Sequence, residues 1–415
     1  MPKGASLPAV GSLSAFSLPA LSDAIQAAST SYQRLKIEIT DIRTAQVMVH
    51  GAQTHIRVDS DQGIFGEGEC TDAAGGAVSL IQSLRPVLIG QNPLDVEPLW
   101  ERVRTMGIFS GAQGGQFVCA LSGLEIALWD LAGKALGLPV YRLLGGKFRD
   151  RVRVYCDAEI GNPLAPDSDR KIAWIKSQGF SMIKMDLDDF RDRAKWALYG
   201  WQASNGEIDR MVKWVSTVRE NMPTDMALAC DMHGRYDAST GKKVAQALEP
   251  FRLTWLEEPC PAEDIDAMVD IRQSSHTPIA CGENLYMRWG FRALLEKKGI
   301  DIIEPDFQKT GGLAEAQKIA NLAQTFSVPV APHSVCSPIG QMATAHACTT
   351  FPNFLAQEWH WIDVPDLWRN WVKEGNIIEN GFIAPSDRPG LGVEMYEEVA
   401  KKAQIPGTPW FEPGR

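Results

Sequence analysis

After Asp150 the chain settles into a repeat. A short apolar run ends in a polar residue, and an amphipathic helical stretch follows. The runs end near Asp157, Lys184, Asp231, Glu257, Glu283, Asp306, His333 and Glu358. From Asp231 onward the steps are 26, 26, 23, 27 and 25 residues, each about one strand plus one helix. Such regularity predicts a (β/α) barrel, whose chemistry sits at the C-terminal ends of its strands. The longer step from Lys184 to Asp231 carries an insertion around Asp188–Arg210, with Trp196, Tyr199 and Trp201. It suits an oligomer contact or a cover for the mouth. The first 150 residues read differently. Ile37, Ile39, Ile42, Val47, Val49, Ile56 and Val58 alternate with polar positions, and Asp61–Gln62–Gly63 marks a turn. This predicts a β-meander. Helical apolar spacing then dominates about 76–136. The tail from Asp363 to Arg415 leaves the barrel and packs back on the first domain.

Three of the strand-end residues are acids at equal intervals: Asp231, Glu257 and Glu283. In a closed barrel they meet at one mouth. Converging acids repel, and hard oxygen ligands left partly open suit Mg²⁺. Alternation lets only one of Glu257 and Glu258 face the mouth, and Glu257 is chosen as ligand. Asp306 and His333 end successive strands, which lie about 5 Å apart. An Asp–His hydrogen bond there gives a general base. Lys184 is expected to point inward as a cation, and Asp186 points the same way and could pair with it. His233 follows Asp231 by two, so both are expected to face the mouth. It reads as a general acid, a structural donor or a ligand. Glu358 ends the eighth unit and could bond a substrate oxygen or cap a helix.

Composition narrows the partners. The 415 residues carry a formal charge of −10 with no long like-charge run, which argues against nucleic acid or an anionic membrane. No stretch reads as long and apolar enough to span a bilayer. Eight cysteines are spread singly, without a CxxC, and read as buried thiols of a reducing, cytoplasmic compartment. Residues 1–35 read as a loosely ordered extension and make a poor signal peptide.

Ala127–Leu128–Trp129–Asp130–Leu131–Ala132–Gly133–Lys134, Leu143–Leu144–Gly145–Gly146 and Glu257–Glu258–Pro259 form an ordered set of motifs. Gly282–Glu283–Asn284, Pro305–Asp306, Gly311–Gly312 and Pro389–Gly390–Leu391–Gly392 complete it. Together they resemble the mandelate racemase-like subgroup of the enolase superfamily over about residues 36–400. The resemblance implies an α/β fold: a modified (β/α)-barrel with an N-terminal α+β capping domain whose loops close over the mouth. The expected divisions are 1–35 extension, 36–150 cap, 151–362 barrel and 363–415 C-terminal segment. It implies Mg²⁺ on Asp231, Glu257 and Glu283, and abstraction of the proton α to a carboxylate to give a metal-stabilised enediolate. It also implies a homo-oligomer. Where two-base members carry Lys-x-Lys, this chain has Lys184–Met185–Asp186, which argues against racemisation. Asp231–Met232–His233–Gly234–Arg235 and Ala331–Pro332–His333 look like the acid-sugar dehydratases, notably the galactonate group. The expected reaction is loss of water from an acid-sugar carboxylate, with His333 as base and His233 as acid. A racemase, epimerase or cycloisomerase on the same scaffold is the alternative; a catalytically silent, metal-stabilised interaction protein is the remote one. Substrate choice falls to loops around Val47–Gln53 and Cys70–Gly76 and to Trp359, His360 and Trp361. His50 and His360 are expected to be packing residues.

Overall fold

The computed structural model describes residues 35–73, 75–161, 167–188 and 200–413. The chain forms two compact units, Met1–Ile37 and Glu38–Arg415. Of the first, only 35–37 are described, and they carry no regular structure. The extension therefore lies outside the described residues, as do Trp196 and Tyr199 of the insertion.

The second unit opens with the expected meander. Strands β1 (Ile39–Met48), β2 (Ala52–Ser60) and β3 (Phe65–Thr71) form an antiparallel sheet in that order. Helices α1 (Ala77–Leu88), α2 (Val96–Met106) and α3 (Gly115–Leu136) follow. Helix α3 lies directly on β3. A Cβ at Gly66 would fall 2.0 Å from the Ala127 carbonyl oxygen, and one at Gly68 2.3 Å from that of Gly123. Only glycine permits this backbone-on-backbone packing. The reading that no stretch is apolar and long enough to span a bilayer needs correction. Helix α3 has that length and composition, but 83% of its most apolar window is buried inside the fold. It is a core helix of the cap.

The barrel follows as β4 (Val152–Asp157), α4 (Ser168–Ser177), β5 (Met182–Asp186), α5 (Asn205–Asn221), β6 (Ala227–Asp231) and α6 (Ala238–Ala247). It continues as β7 (Leu256–Glu257), α7 (Ile265–Ser274), β8 (Ile279–Cys281), α8 (Met287–Glu296), β9 (Ile302–Ile303) and α9 (Leu313–Thr325). The seventh strand is reduced to Val330, which bridges to Ile303 and to Phe354. Helix α10 (Pro338–Cys348) and β10 (Gln357–Trp359) complete the set, and β10 pairs parallel with β4 to close the barrel.

Period-two alternation explains the interior. Tyr155, Met182, Ala229, Trp255, Ala280, Ile302, Ala331 and Ala356 form one buried apolar cluster, one residue from each strand. The alternate residues, such as Val154, Ile183, Leu228 and Cys230, pack outward against helix residues including Ile175, Val215 and Val244. Two residues beyond the apolar ring stand Asp157, Lys184, Asp231, Glu257, Gly282, Glu304, His333 and Glu358. The chemistry-bearing layer is thus the next storey of the same barrel.

Past Trp359 the chain adds a hairpin, β11 (Ile378–Glu379) and β12 (Phe382–Ile383), antiparallel to β4. It then returns to the cap, where Trp410 bridges Ala45 and Gln404 bridges Val47. All eight cysteines are buried free thiols.

Candidate active site

Lys184 is the hub of one half of the mouth. Its Nζ lies 2.8 Å from Glu257 Oε2, 3.0 Å from Glu358 Oε1 and 3.1 Å from Asp231 Oδ2. Asp157 Oδ2 stands farther off at 3.9 Å. The side chain is 1% exposed. Burial by itself lowers an ammonium pKa, but Glu257, Glu358 and Asp231 raise this one well above the usual lysine range. Two of its N–H donors bond Glu257 and Asp231, and Glu358 stands against the ammonium as an ion pair. The expected pairing of Lys184 with Asp186 is not among these contacts. Asp186 lies one full alternation farther up β5, level with Asp231, and its Oδ1 has no hydrogen-bond partner among the described residues.

His333 organises the other half. Its Nδ1 is 2.8 Å from Asp306 Oδ2, and its Nε2 is 2.9 Å from Glu283 Oε2. A ring held between two carboxylates is satisfied only when both nitrogens carry protons. Burial acts against that charge, but Glu358, Glu283 and Asp306 raise the imidazole well above its ordinary value. Glu283 moves the opposite way: burial would raise it, and the His333 charge holds it well below the usual range. Glu283 does not reach the mouth by simple alternation. Gly282 occupies the inward position at φ +151, and a Cβ there would meet Glu304 N at 2.8 Å. The glycine turns the chain so that the next residue points in.

His233 sits just past β6 with φ 48, outside the extended strand geometry on which its expected placement rests. Its backbone N–H donates to Asp231 Oδ1 at 2.7 Å. The ring nonetheless returns to the site: Nδ1 is 2.9 Å from Asp188 Oδ1, and Nε2 is 3.6 Å from Asp231 Oδ2. Arg235 Nε holds the other oxygen of Asp188 at 2.6 Å. Burial lowers the ring's basicity, yet Asp231 and Asp188 raise it well above the usual range.

Glu257 and Glu258 part as the alternation requires. Glu257 enters the Lys184 cluster, whereas Glu258, at φ 34, accepts from Asn284 Nδ2 at 2.8 Å. Glu358 also accepts the Ser334 N–H at 2.8 Å. His360 Nδ1 bonds Asp157 Oδ2 at 3.1 Å, and the His50 ring from the cap lies edge-on to it at 4.8 Å.

Four contributors have no role in the sequence reading, although Asp157 is named there as a strand end. Asp157 and Asp188 orient His360 and His233, and Glu304 and Lys309 complete the charged shell. Glu304 is fully buried with neither carboxylate oxygen partnered among the described residues, and burial beside Glu257 pushes it well above the carboxylate range. Lys309 Nζ reaches Asn284 Oδ1 at 3.4 Å; burial opposes its charge, but Glu283 and Asp306 raise it. Alternation carried two residues past Asp186 and two back from Asp306 finds Asp188 and Glu304.

The donor set fits a hard divalent cation. Asp231 and Glu257 are register partners on adjacent strands, and Glu257 Oε1 is buried without a partner among the described residues. Burial and the neighbouring Asp231 push Glu257 well above its ordinary value, the mark of anions in need of a counter-charge. Among the described residues, the group whose ligand atoms all lie within 4.8 Å of one another is Asp186, Asp231 and His233. It shares Asp231 with the triad. In the triad, Lys184 occupies Asp231 Oδ2 and Glu257 Oε2, and His333 occupies Glu283 Oε2.

Comparison with known proteins settles the lineage. Residues 28–145 match the mandelate racemase / muconate lactonizing enzyme N-terminal domain, and residues 169–399 match the enolase C-terminal domain-like family. The chain belongs to the enolase superfamily, in its mandelate racemase-like group. Members of this superfamily bind a divalent metal. The chain is 38% identical to a D-xylonate dehydratase of Haloferax volcanii, covering 90% of this chain and 91% of that protein. A D-galactonate dehydratase of Ralstonia nicotianae is 31% identical, over 86% of this chain and 92% of its own. The crystal structure of a mandelate racemase/muconate lactonizing enzyme-like protein from Rubrobacter xylanophilus superposes with a TM-score of 0.84. It is 41% identical, over 90% of this chain and 99% of that one.

Proposed function

We propose that this superfamily member is a Mg²⁺-dependent hydro-lyase that dehydrates an acid sugar, an aldonate or aldarate, to a 2-keto-3-deoxy acid. One observation carries the reading: two imidazoles, each oriented by its own carboxylate, flank one cluster of acids and lysine. Asp306 holds His333, and Asp188 holds His233. A racemase or cycloisomerase expels no hydroxyl and needs no leaving-group acid, so an imidazolium placed beside Asp231 rather than on a Lys-x-Lys strand favours elimination. The sugar dehydratases among the relatives support the same reaction.

Asp231, Glu257 and Glu283 would hold the metal. All-carboxylate ligation favours Mg²⁺ over the softer ions that the Asp186–Asp231–His233 group suits. When bound, the ion supplies positive charge to the substrate carboxylate. Lys184 adds fixed charge on the same side, preorganised for the negative charge that grows as the α-proton leaves. His333 Nε2, freed from Glu283 when that carboxylate serves as ligand, takes the C2 proton, and Nδ1 stays on Asp306. The C2–H electron pair moves to form the C2–C3 double bond. His233 protonates the departing C3 hydroxyl, so water leaves. The C2 enol then ketonises, gaining a proton at C3. Glu358 accepts the Ser334 N–H beside the base through one oxygen and pairs the other with the Lys184 ammonium.

Residues 36–150 serve as the cap and 151–362 as the catalytic barrel in this reading, and the tail from 363 ties them together. The net charge of −10 supports a protein without nucleic-acid or anionic-membrane partners, and the buried thiols support a cytoplasmic one; a homo-oligomer rests on the family resemblance alone. The test is a screen of mono- and diacid sugars for Mg²⁺-dependent keto-acid formation. Turnover of at least one, with solvent deuterium entering C2 of recovered substrate or C3 of product, supports the reading. Epimerised substrate without any keto acid would overturn it.

A further inference from the structure

The base stands on an unusual foundation. Beyond Val330 the seventh strand has no ladder, and residues 331–337 carry no regular structure. Backbone bonds from Ala331 N to Ile303 O at 2.9 Å and from Glu358 N to Pro332 O at 3.2 Å end just before His333. From Ser334 onward, side chains take over. Glu358 Oε2 accepts Ser334 N–H, and Gln341 Nε2 donates to Ser334 O at 2.7 Å. The next two anchors come from the cap.

Gln53 on β2 donates through Nε2 to Val335 O at 2.8 Å. Glu69 on β3 accepts Ser337 N–H through Oε1 at 2.8 Å, and through Oε2 it accepts the Ser337 hydroxyl at 2.5 Å and Gly340 N–H at 3.1 Å. Both side chains are buried, 2% and 0% exposed. They lie on one face of the cap sheet, because Gln53 pairs with Thr71 and His55 with Glu69. The approach is close: a Cβ at Gly340 would lie 3.0 Å from Glu69 Oε2 and 2.7 Å from Cys336 Sγ.

We infer that Gln53 and Glu69 of the cap are positioning residues for the general base: they fix the Ser334–Gly340 segment that sets where the His333 ring stands. The inference rests on the dehydratase reading and gives the cap a part in the chemistry besides covering the mouth. The physical ground is the sensitivity of proton transfer to placement. A 1 Å error can cost on the order of 100-fold in rate, and a segment without ladder bonds relies on side chains such as these to resist it.

Gln53→Met keeps the volume and removes the donor to Val335. Glu69→Gln keeps the shape and replaces one acceptor of Ser337 and Gly340 with an amide NH₂. With Mg²⁺ and an aldonate turned over by the parent, each should lower kcat and C2 deuterium exchange about 10- to 100-fold, with KM within about threefold. Amide hydrogen exchange read by mass spectrometry should rise across 331–341 and stay unchanged across 225–235. Faster exchange with an unchanged kcat would overturn the inference, because the segment would then move without moving the base. A fall in kcat with protection of 331–341 intact would also overturn it. If the parent itself turns over no acid sugar, the functional reading falls and takes this inference with it; failure confined to the variants leaves that reading standing.

Discussion

The two halves of the mouth are built on different principles. On the lysine side, Lys184, Asp231 and Glu257 sit on strands held in continuous register: Lys184 beside Ala229, Asp231 beside Glu257. Each backbone position follows from the one below it, and one buried ammonium offsets part of the charge of the acids around it. On the base side, His333 stands past the end of a one-residue bridge. Its place depends on side chains from β2, β3, β10 and α10. The lysine side is therefore costly to disturb for the fold, and the base side for the reaction. Charge burial explains the first: removing one member of a buried ion cluster leaves the rest uncompensated.

His333→Asn should give the largest effect of any single change on the chemistry. Loss of a general base removes about 10²–10⁴-fold in rate, and C2 exchange with solvent deuterium should disappear. The urea midpoint should fall less than in Lys184→Met, because the imidazolium balances two carboxylates, Asp306 and Glu283, whereas the ammonium stands against three. Retained exchange would reject His333 as the base. Lys184→Met makes the contrast. It removes the ammonium that Asp231, Glu257 and Glu358 share, which should remove about 3–5 kcal/mol of stability as well as turnover. A Lys184→Met protein with the parent's urea midpoint would show that the cluster is not held by its charge.

Those same two principles decide how much could be read in advance. The barrel was legible because its steps are regular and its strand ends polar. The Asp306–His333 bond was legible because neighbouring strands lie about 5 Å apart. Lys184 was correctly expected inside, yet its partners were not. Pairing it with Asp186 kept the argument on one strand, whereas Nζ spans the barrel to Glu257 and Glu358. Glu283 matched the 26-residue spacing but reaches the mouth by a different route, since Gly282 turns the chain at φ +151. Asp188 was read as the start of an insertion, and its service to His233 needs the left-handed turn at φ 48. The cap's grip on the His333 segment joins residues 268 and 282 positions apart. No local pattern encodes such contacts.

The second imidazole separates dehydration from its rivals. His233→Gln removes the acid for the C3 hydroxyl but leaves His333, Asp306 and the acids in place. Keto-acid formation should fall by about 10²–10⁴-fold, and exchange at C2 should persist within about tenfold of the parent. Asp188→Asn should lie between the two, because the ring loses its orienting carboxylate and keeps its nitrogen. Equal loss of exchange and elimination in His233→Gln would remove the leaving-group role and restore the epimerase reading.

The smallest expected effect tests the cap's anchor through its protonation. Burial raises Glu69 from 4.5 to about 7, against the opposing pull of Ser337 and Gly340. Glu67 is a further anion beside it, and the Cys336 thiol faces it with its own pKa raised by burial. A carboxyl raised on folding holds a proton that the unfolded chain releases. Its favourable contribution is complete below pH 4.5 and is lost as pH rises through 7. Glu69→Gln cannot titrate. Whatever its offset from the parent, the stability difference between variant and parent should shift in the variant's favour across that window, by up to about 3 kcal/mol. Urea unfolding of both proteins at pH 5 and pH 7.5 reads the slope directly. A constant difference would mean that Ser337 and Gly340 keep Glu69 ionised throughout, so that the anchor holds the His333 segment as a carboxylate at every pH where the enzyme works.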